Sequence, residues 1–278
     1  MAPSTKKKNR DQKIILFLLF VILILGGTVV GLFLKMKPQK PKVEEKPAEK
    51  IEEVKVKSAG KIAIIIDDFG YRNDSVSDGF LSLDAHLTYA VIPGHEHSQS
   101  MAKKAKSKGF EVIVHMPMGT NHPTFGEEDF ILKKSMTSVE IEKRMNKVFT
   151  YLPEVVGMNN HQGSSATADQ RVMNVVGTVL KQKGKYFLDS RTTKNTQAEK
   201  VMHSLGVPTG RRHVFLDNDF DENLIRQQLQ ELEAKARKQG FAVGIGHAKQ
   251  HMLNVLKREI PKLKKQNFEF VFVSEVVK

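Results

Sequence analysis

The chain has 278 residues, and 44 Lys plus Arg against 31 Asp plus Glu give a formal net charge of +13. Residues 1–57 hold 13 basic and six acidic side chains, so more than half of the excess lies in about a fifth of the chain. That distribution argues against an evenly basic nucleic-acid-binding domain, and the absence of cysteine excludes a disulfide scaffold, a thiolate zinc site, a catalytic Cys and a lipobox anchor.

Residues 1–13 form a short basic tail carrying Lys6, Lys7, Lys8, Arg10 and Lys13. From Ile14 to Leu34 there are 21 residues without a charge. At about 1.5 Å per residue such a helix spans roughly 31 Å, the thickness of a hydrocarbon core. A cleaved signal peptide has a shorter apolar stretch, about 7–15 residues, followed by a small-x-small site. Here the stretch runs directly into Leu32-Phe33-Leu34-Lys35. Residues 14–34 therefore read as an uncleaved transmembrane signal anchor, with a cleaved signal or a buried core helix as alternatives. The basic tail leans toward a cytoplasmic N-terminus, although Lys35, Lys37, Lys40 and Lys42 follow the span. A single-pass cell-membrane protein with an extracytoplasmic soluble domain is expected. Residues 35–57, with Pro38, Pro41, Pro47 and mixed Lys and Glu, read as a solvated linker.

Residues 58–278 form the folded body, long enough for one sizeable core. Ile62–Ile66 is a buried-strand run, and Leu87–Ile92 is a second, closed by Pro93-Gly94. Met101–Ser107 is helical, and Phe110–Val114 is a third strand. Val139–Leu152 has helix spacing, Val155–Met158 is a short strand, Asp169–Leu180 is helical and Lys185–Leu188 is extended. A helix ends at Val201–Leu205, and Val207 and Val214–Leu216 suggest short extended pieces. Leu224–Arg237 is an amphipathic helix with Gly240 past its end. Phe241–Ile245 and Phe268–Val273 are strands separated by a helix over Met252–Lys265. This alternation predicts an α/β fold, a (β/α) barrel of seven or eight mostly parallel strands; an open doubly wound sheet is the alternative. No glycine-rich phosphate loop follows the first strand, which disfavours dinucleotide binding.

In parallel α/β folds ligands sit at the carboxyl ends of the strands. The first strand ends in Asp67-Asp68, the third in His115, the fourth in Asn159-Asn160-His161, the fifth in Asp189 and the one from Phe241 in His247. Six ionisable residues, all Asp or His, thus recur at one end of the fold. Imidazoles plus a carboxylate suit a catalytic divalent-metal site, leaving a carboxylate as base and a His as acid. Asp67 and Asp68 point to opposite sides if the strand continues through them. Phe69-Gly70 is the segment expected to bend it.

Ile64-Ile65-Ile66-Asp67-Asp68-Phe69-Gly70, His115-Met116-Pro117-Met118, Asn160-His161-Gln162-Gly163-Ser164, Phe187-Leu188-Asp189-Ser190-Arg191-Thr192 and Ile245-Gly246-His247-Ala248 together resemble the divergent polysaccharide deacetylase family, a remote branch of the NodB-type carbohydrate esterases. The resemblance covers essentially all of residues 61–278. It implies a NodB-like barrel, a divalent metal cofactor such as zinc, and removal of N-acetyl groups from a polysaccharide such as a cell-wall glycan. It also implies Asp67 as general base, Asp68 as metal ligand and His247 as general acid. The usual H-x-x-x-H segment is absent, so His115 and His161 are expected to supply the metal imidazoles from two strands. The usual Arg-x-Pro-Tyr motif has no clear counterpart, and Asp189 with Arg191 is expected to take over orientation and substrate contact. A glycoside hydrolase using Asp67 or Asp68 with Asp189, or a weakened glycan-binding module, are the rival readings.

Other polar positions read as structural. His95-Glu96-His97 and His122 fall in loops, and Arg211-Arg212-His213 reads as a solvated strand edge rather than an anion clamp. Asp217 and Asp219 read as turn and cap residues. No nucleic-acid partner is expected, and the sequence does not specify an oligomeric state.

Overall fold

The computed structural model describes residues 5–35, 58–120 and 127–278. The chain forms two compact units, residues 1–54 and 55–278. The first contributes α1 (Thr5–Lys35), whose Gln12–Leu32 segment is long and apolar enough to cross a membrane. The expected linker lies outside the described residues from position 36 onward.

In the second unit nine strands are described: β1 (Gly60–Phe69), β2 (Thr88–Val91), β3 (Glu111–Met118), β4 (Gly157–Gln162), β5 (Tyr186–Asp189), β6 (Thr209–Arg211), β7 (Val214–Phe215), β8 (Phe241–His247) and β9 (Phe268–Phe270). Between them run α2 (Ser75–Phe80), α3 (Ser98–Ser107), α4 (Ser138–Tyr151), α5 (Gln170–Gln182), α6 (Ala198–Leu205), α7 (Glu222–Gln239) and α8 (Gln250–Lys265). The strands pair in the order β6-β5-β4-β3-β2-β1-β8-β7, with β9 also on β1, and every ladder is parallel. The two ends of this path, β6 and β7, are separated in sequence only by Arg212 and His213. The sheet therefore curls on itself into a half-barrel with a seam there. The expected NodB-like barrel is observed as eight strands along the path and a ninth beside β1.

Strand alternation sorts side chains into two layers. Ile62, Ile64 and Ile66 of β1 pack outward with the apolar faces of the helices. Ala63 and Ile65 join Ala90, Ile113, Leu188, Val243 and Ile245 inside the curl. Two nonpolar layers on either side explain why the strands read as unbroken apolar runs.

The floor of the curl is closed by the C-terminal segment. Val271, Val273 and Val276 belong to the interior cluster. The Glu111 carboxylate at the start of β3 accepts from Thr88 Oγ1 at 2.9 Å, Tyr186 OH at 2.8 Å and the Ser274 amide at 3.2 Å. These contacts end the predicted strand early. Val271 still donates to Ile62, but Val273 donates to Thr88 Oγ1, and Val273–Glu275 becomes a 3₁₀ turn. Higher on β1 the same edge belongs to β2.

Two other elements differ from expectation. β3 and β4 pair from Val114–Met158 through Met118–Gln162, so His115 and His161 lie within strands rather than after them. The six-residue α2, too short to show a period, is fixed by Asp74, which accepts from the amides of Val76 and Ser77; such a cap is worth about 1 kcal/mol.

Candidate active site

The interior layer turns polar at its upper end. Two residues above Ile65, Ile113 and Ile245 on their strands stand Asp67, His115 and His247, while β4 presents Asn159 and His161. Register makes them neighbours, because Asp67 is the Cα partner of His247 and His115 that of Asn159. Asp68 should by alternation face outward. Its φ of +61° prevents this, and the β1–β2 register slips between Ile66 and Phe69. A left-handed conformation at a residue with a Cβ costs on the order of 1–3 kcal/mol. Here it brings both carboxylates to one imidazole, with Asp67 Oδ2 3.5 Å and Asp68 Oδ1 3.4 Å from His115 Nε2. The bend thus begins at Asp68, one residue before the expected Phe69-Gly70.

His161 Nδ1 lies 3.0 Å from His115 Nε2 and 3.4 Å from Asp68 Oδ1. The ligand atoms of Asp68, His115 and His161 all fall within 4.8 Å of one another, an arrangement that could hold a metal ion. Asp68 Oδ1 is buried without a hydrogen-bond donor, the state expected of an oxygen reserved for a cation. Burial disfavours its charge, but the imidazoles of His115 and His161 and the charge of His247 hold its pKa well below the usual carboxylate range.

Asn159, fully buried, ties the cluster together. Its Nδ2 donates to Asp67 Oδ1 at 2.8 Å, so its Oδ1 must be the acceptor for His115 Nδ1, also at 2.8 Å. That fixes the proton of neutral His115 on Nδ1 and leaves the Nε2 lone pair facing the cluster, as a metal-ligating histidine requires. Burial raises the pKa of Asp67 against the opposing influence of His115, His247 and Asn159.

On the other side, His247 Nδ1 is 3.0 Å from Asp217 Oδ1, and its backbone amide donates to Asp217 Oδ2 at 2.8 Å. Nε2 is left pointing inward, 4.0 Å from Asp68 Oδ2. Burial disfavours the imidazolium, but the hydrogen bond and charge of Asp217, aided by Asp68 and Asp67, push the His247 pKa up to about 9. Asp217, read from sequence as a turn or cap residue, is thus the partner that orients His247. Asp221 is the cap of α7, and Asp219 accepts from its amide.

A cavity of about 210 Å³ opens over this cluster, lined among others by Asp67, His115, His161, Ser190, Arg212 and His247. Arg212 is a second residue the sequence reading passed over. Its Nε donates to Ser190 O at 2.7 Å, Nη2 donates to Arg191 O at 3.2 Å, and the guanidinium lies 4.6 Å from the centre of the Phe215 ring. The seam between β6 and β7 carries it inward. Asp189 is placed differently. It shares the alternation of Phe187, an outer-layer residue, and its Oδ1 accepts from the Arg191 amide at 2.8 Å. It shapes the loop of Ser190 and Arg191 from beneath and does not line the cavity; burial raises its pKa against the Arg191 amide. His95 pairs with Glu127 at 3.2 Å and is not among the residues whose ligand atoms converge. His213 accepts from the Val243 amide at 3.0 Å, and Arg211 pairs with Glu199 at 3.4 Å. His122 lies outside the described residues.

Chemically the cavity offers a carboxylate base, a protonated imidazole and a site fit for a divalent cation within one wall of hydrogen bonds. Such a set can move a proton to and from a carbonyl centre under attack by water.

A family model described as divergent polysaccharide deacetylase matches residues 64–277. The chain is 37% identical over 207 residues to the protein YibQ of Escherichia coli K12, a match covering 74% of this chain and 64% of that one. It is 34% identical over 205 residues to a protein of Haemophilus influenzae Rd, covering 73% and 72% of the two chains. The chain therefore spans a little less than two thirds of the E. coli relative's length. A crystal structure of a protein from Agrobacterium tumefaciens C58 has the same fold, with a TM-score of 0.75 at 20% identity over 80% of this chain and 91% of that one.

Proposed function

The chain belongs to the divergent polysaccharide deacetylase family, and on that premise we propose that it is a metal-dependent hydrolase removing N-acetyl groups from an extracytoplasmic cell-wall glycan. The observation that carries the reading is the convergence of Asp68, His115 and His161 on one point, flanked by Asp67 and His247.

Asp68, His115 and His161 would hold the cation, and two imidazoles with one carboxylate suit zinc. The donor set fits, since His115 turns its lone pair inward and Asp68 Oδ1 has no hydrogen-bond donor. When bound, the ion polarises the acetyl carbonyl and makes water more acidic. Asp67, made more basic by burial and aligned by Asn159, accepts the proton of the attacking water. His247, charged at neutral pH and held by Asp217, gives its Nε2 proton to the amine nitrogen as the C–N bond breaks. The products are acetate and a free amino group on the sugar. Asp189 acts at one remove, by holding the loop that carries Ser190 into the cavity wall.

In this reading residues 14–34 anchor the protein in the cell membrane, the basic tail of residues 1–13 stays cytoplasmic, and residues 35–57 let the catalytic domain reach the glycan. The glycoside hydrolase reading finds less support, because Asp189, its expected second carboxylate, does not line the cavity.

The decisive experiment is acetate release from N-acetylated glycan by the full chain with added Zn²⁺, Mn²⁺ or Co²⁺. Metal-dependent acetate release is expected. Glycan shortening, or glycan binding without acetate release under all three ions, would overturn the assignment.

A further inference from the structure

A second constellation is built on the loop that follows Asp68 and has no part in the chemistry described above. Tyr71 follows Asp68 by three residues and leaves 38% of its surface exposed. Its hydroxyl donates to Glu127 Oε1 at 2.8 Å, and the same oxygen lies 3.2 Å from His95 Nε2. The Tyr71 and His95 rings are packed 4.1 Å apart, centre to centre. Glu127 itself is only 6% exposed.

Burying a carboxylate is costly unless its partners satisfy it, and a surface tyrosine does not need one to stay folded. The effect of the arrangement is to stop a half-exposed ring from moving. The backbone is fitted to the same end. Gly70, with φ +106°, lets the loop close on α3, where a Cβ would sit 3.0 Å from the Ser98 Cα. Ser98 in turn donates to Ile92 O at 2.6 Å and accepts from the His95 amide at 3.0 Å, fixing the turn that carries His95. Loop and turn are locked together, holding Tyr71 three residues past Asp68 with its ring partly exposed. Burial raises the phenol's pKa, helped by the hydrogen bond and charge of Glu127 and, least, by the charge of Asp68.

We propose that Tyr71, braced by Glu127 and His95, is a sugar-stacking platform that binds the pyranose ring adjoining the one whose acetyl group is removed. A tyrosine face is apolar and matches the C–H face of a pyranose, and holding it still before binding removes the ordering cost that a free side chain would add. The proposal rests on the deacetylase reading for the identity of the ligand, but glycan binding at Tyr71 does not require turnover.

The test is calorimetric titration of the full chain in detergent, without added metal, with the β-1,4-linked pentamer of N-acetylglucosamine. Saturable binding is expected for the wild type. Tyr71→Ala and the bulk-preserving Tyr71→Leu should each weaken it at least tenfold. Tyr71→Phe, which keeps the ring but not its tether, should stay within about threefold. In the metal-loaded protein the same loss should appear in KM for the pentamer, with kcat changed far less. Wild-type affinity in Tyr71→Leu, a Tyr71→Phe loss as large as that of Tyr71→Leu, or no pentamer binding by the wild type would each overturn the platform. Tyr71-dependent binding without acetate release under any metal would instead sustain the platform and refute the deacetylase assignment.

Discussion

Replacing Asn159 by alanine tests the reasoning on which the site depends most. The side chain is fully buried and makes two hydrogen bonds of 2.8 Å, one to Asp67 and one from His115. The substitution strips a donor from a buried carboxylate and an acceptor from a buried imidazole. Each orphaned group costs about 1–3 kcal/mol, so a loss of about 2–6 kcal/mol is expected. For a domain of this size each kcal/mol lowers the melting temperature by about 2–4 °C, which predicts a drop of about 4–24 °C. His115 also loses the contact that fixes its proton on Nδ1, and comparable outer-shell changes weaken metal binding about 10–100-fold. Thermal unfolding without metal and zinc titration of the folded protein measure the two effects separately. A melting temperature within 2 °C of wild type together with unchanged zinc affinity would show that Asn159 holds neither partner, and the assigned tautomer of His115 would fall with it.

The other predictions address single links of the same chain. Asp68→Ala should abolish stoichiometric zinc binding and acetate release together; a variant that keeps its metal and its rate would remove Asp68 from the site. His247, with its pKa raised to about 9, should keep the wild-type rate on a plateau up to that pH and lose it above. Asp217→Asn should draw this alkaline limb toward the ordinary histidine value of about 6.5, cutting the rate at pH 8 by roughly tenfold or more; a pH–rate profile with an unmoved limb would refute the pairing. Because the folded pKa is the higher one, the His247–Asp217 pair adds stability that is complete below about pH 6.5 and disappears as pH rises through about 9, and urea titrations at pH 6 and 10 should show it shrinking in Asp217→Asn. Gly157→Ala would place a Cβ 2.7 Å from the Tyr186 ring, pushing Tyr186 off Glu111 and costing about 1–3 kcal/mol; equilibrium unfolding that matches wild type would mean the floor can yield.

The residues at the strand ends were legible because parallel sheets gather them at one rim, and alternation then decides which of them look inward. Asp67, His115, His161 and His247 satisfy both conditions. Asp189 satisfies only the first, since it shares the side of Phe187, and a four-residue strand gives little warning of that. Asp217 and Arg212 failed for the opposite reason. They flank strands of two and three residues, too short to show a period, so a carboxylate that orients a histidine looked like a cap and an inward guanidinium like a strand edge. The left-handed turn at Asp68 is invisible in sequence because glycine, the usual mark of such a conformation, stands two positions later.

The pairing of β1 carries a consequence for the order of events during synthesis. One edge of this first strand is completed by β8, and the lower part of the other by β9, about 180 to 210 residues later. Lys278 exchanges backbone hydrogen bonds with Thr209. At about 5–20 residues per second, β1 waits tens of seconds at the slower rate, or about ten at the faster, with its hydrogen-bonding groups half unmatched. The curl cannot shut until β8 and β9 have been made. Closure of the curl is therefore a late, long-range event, the slow kind of contact in folding.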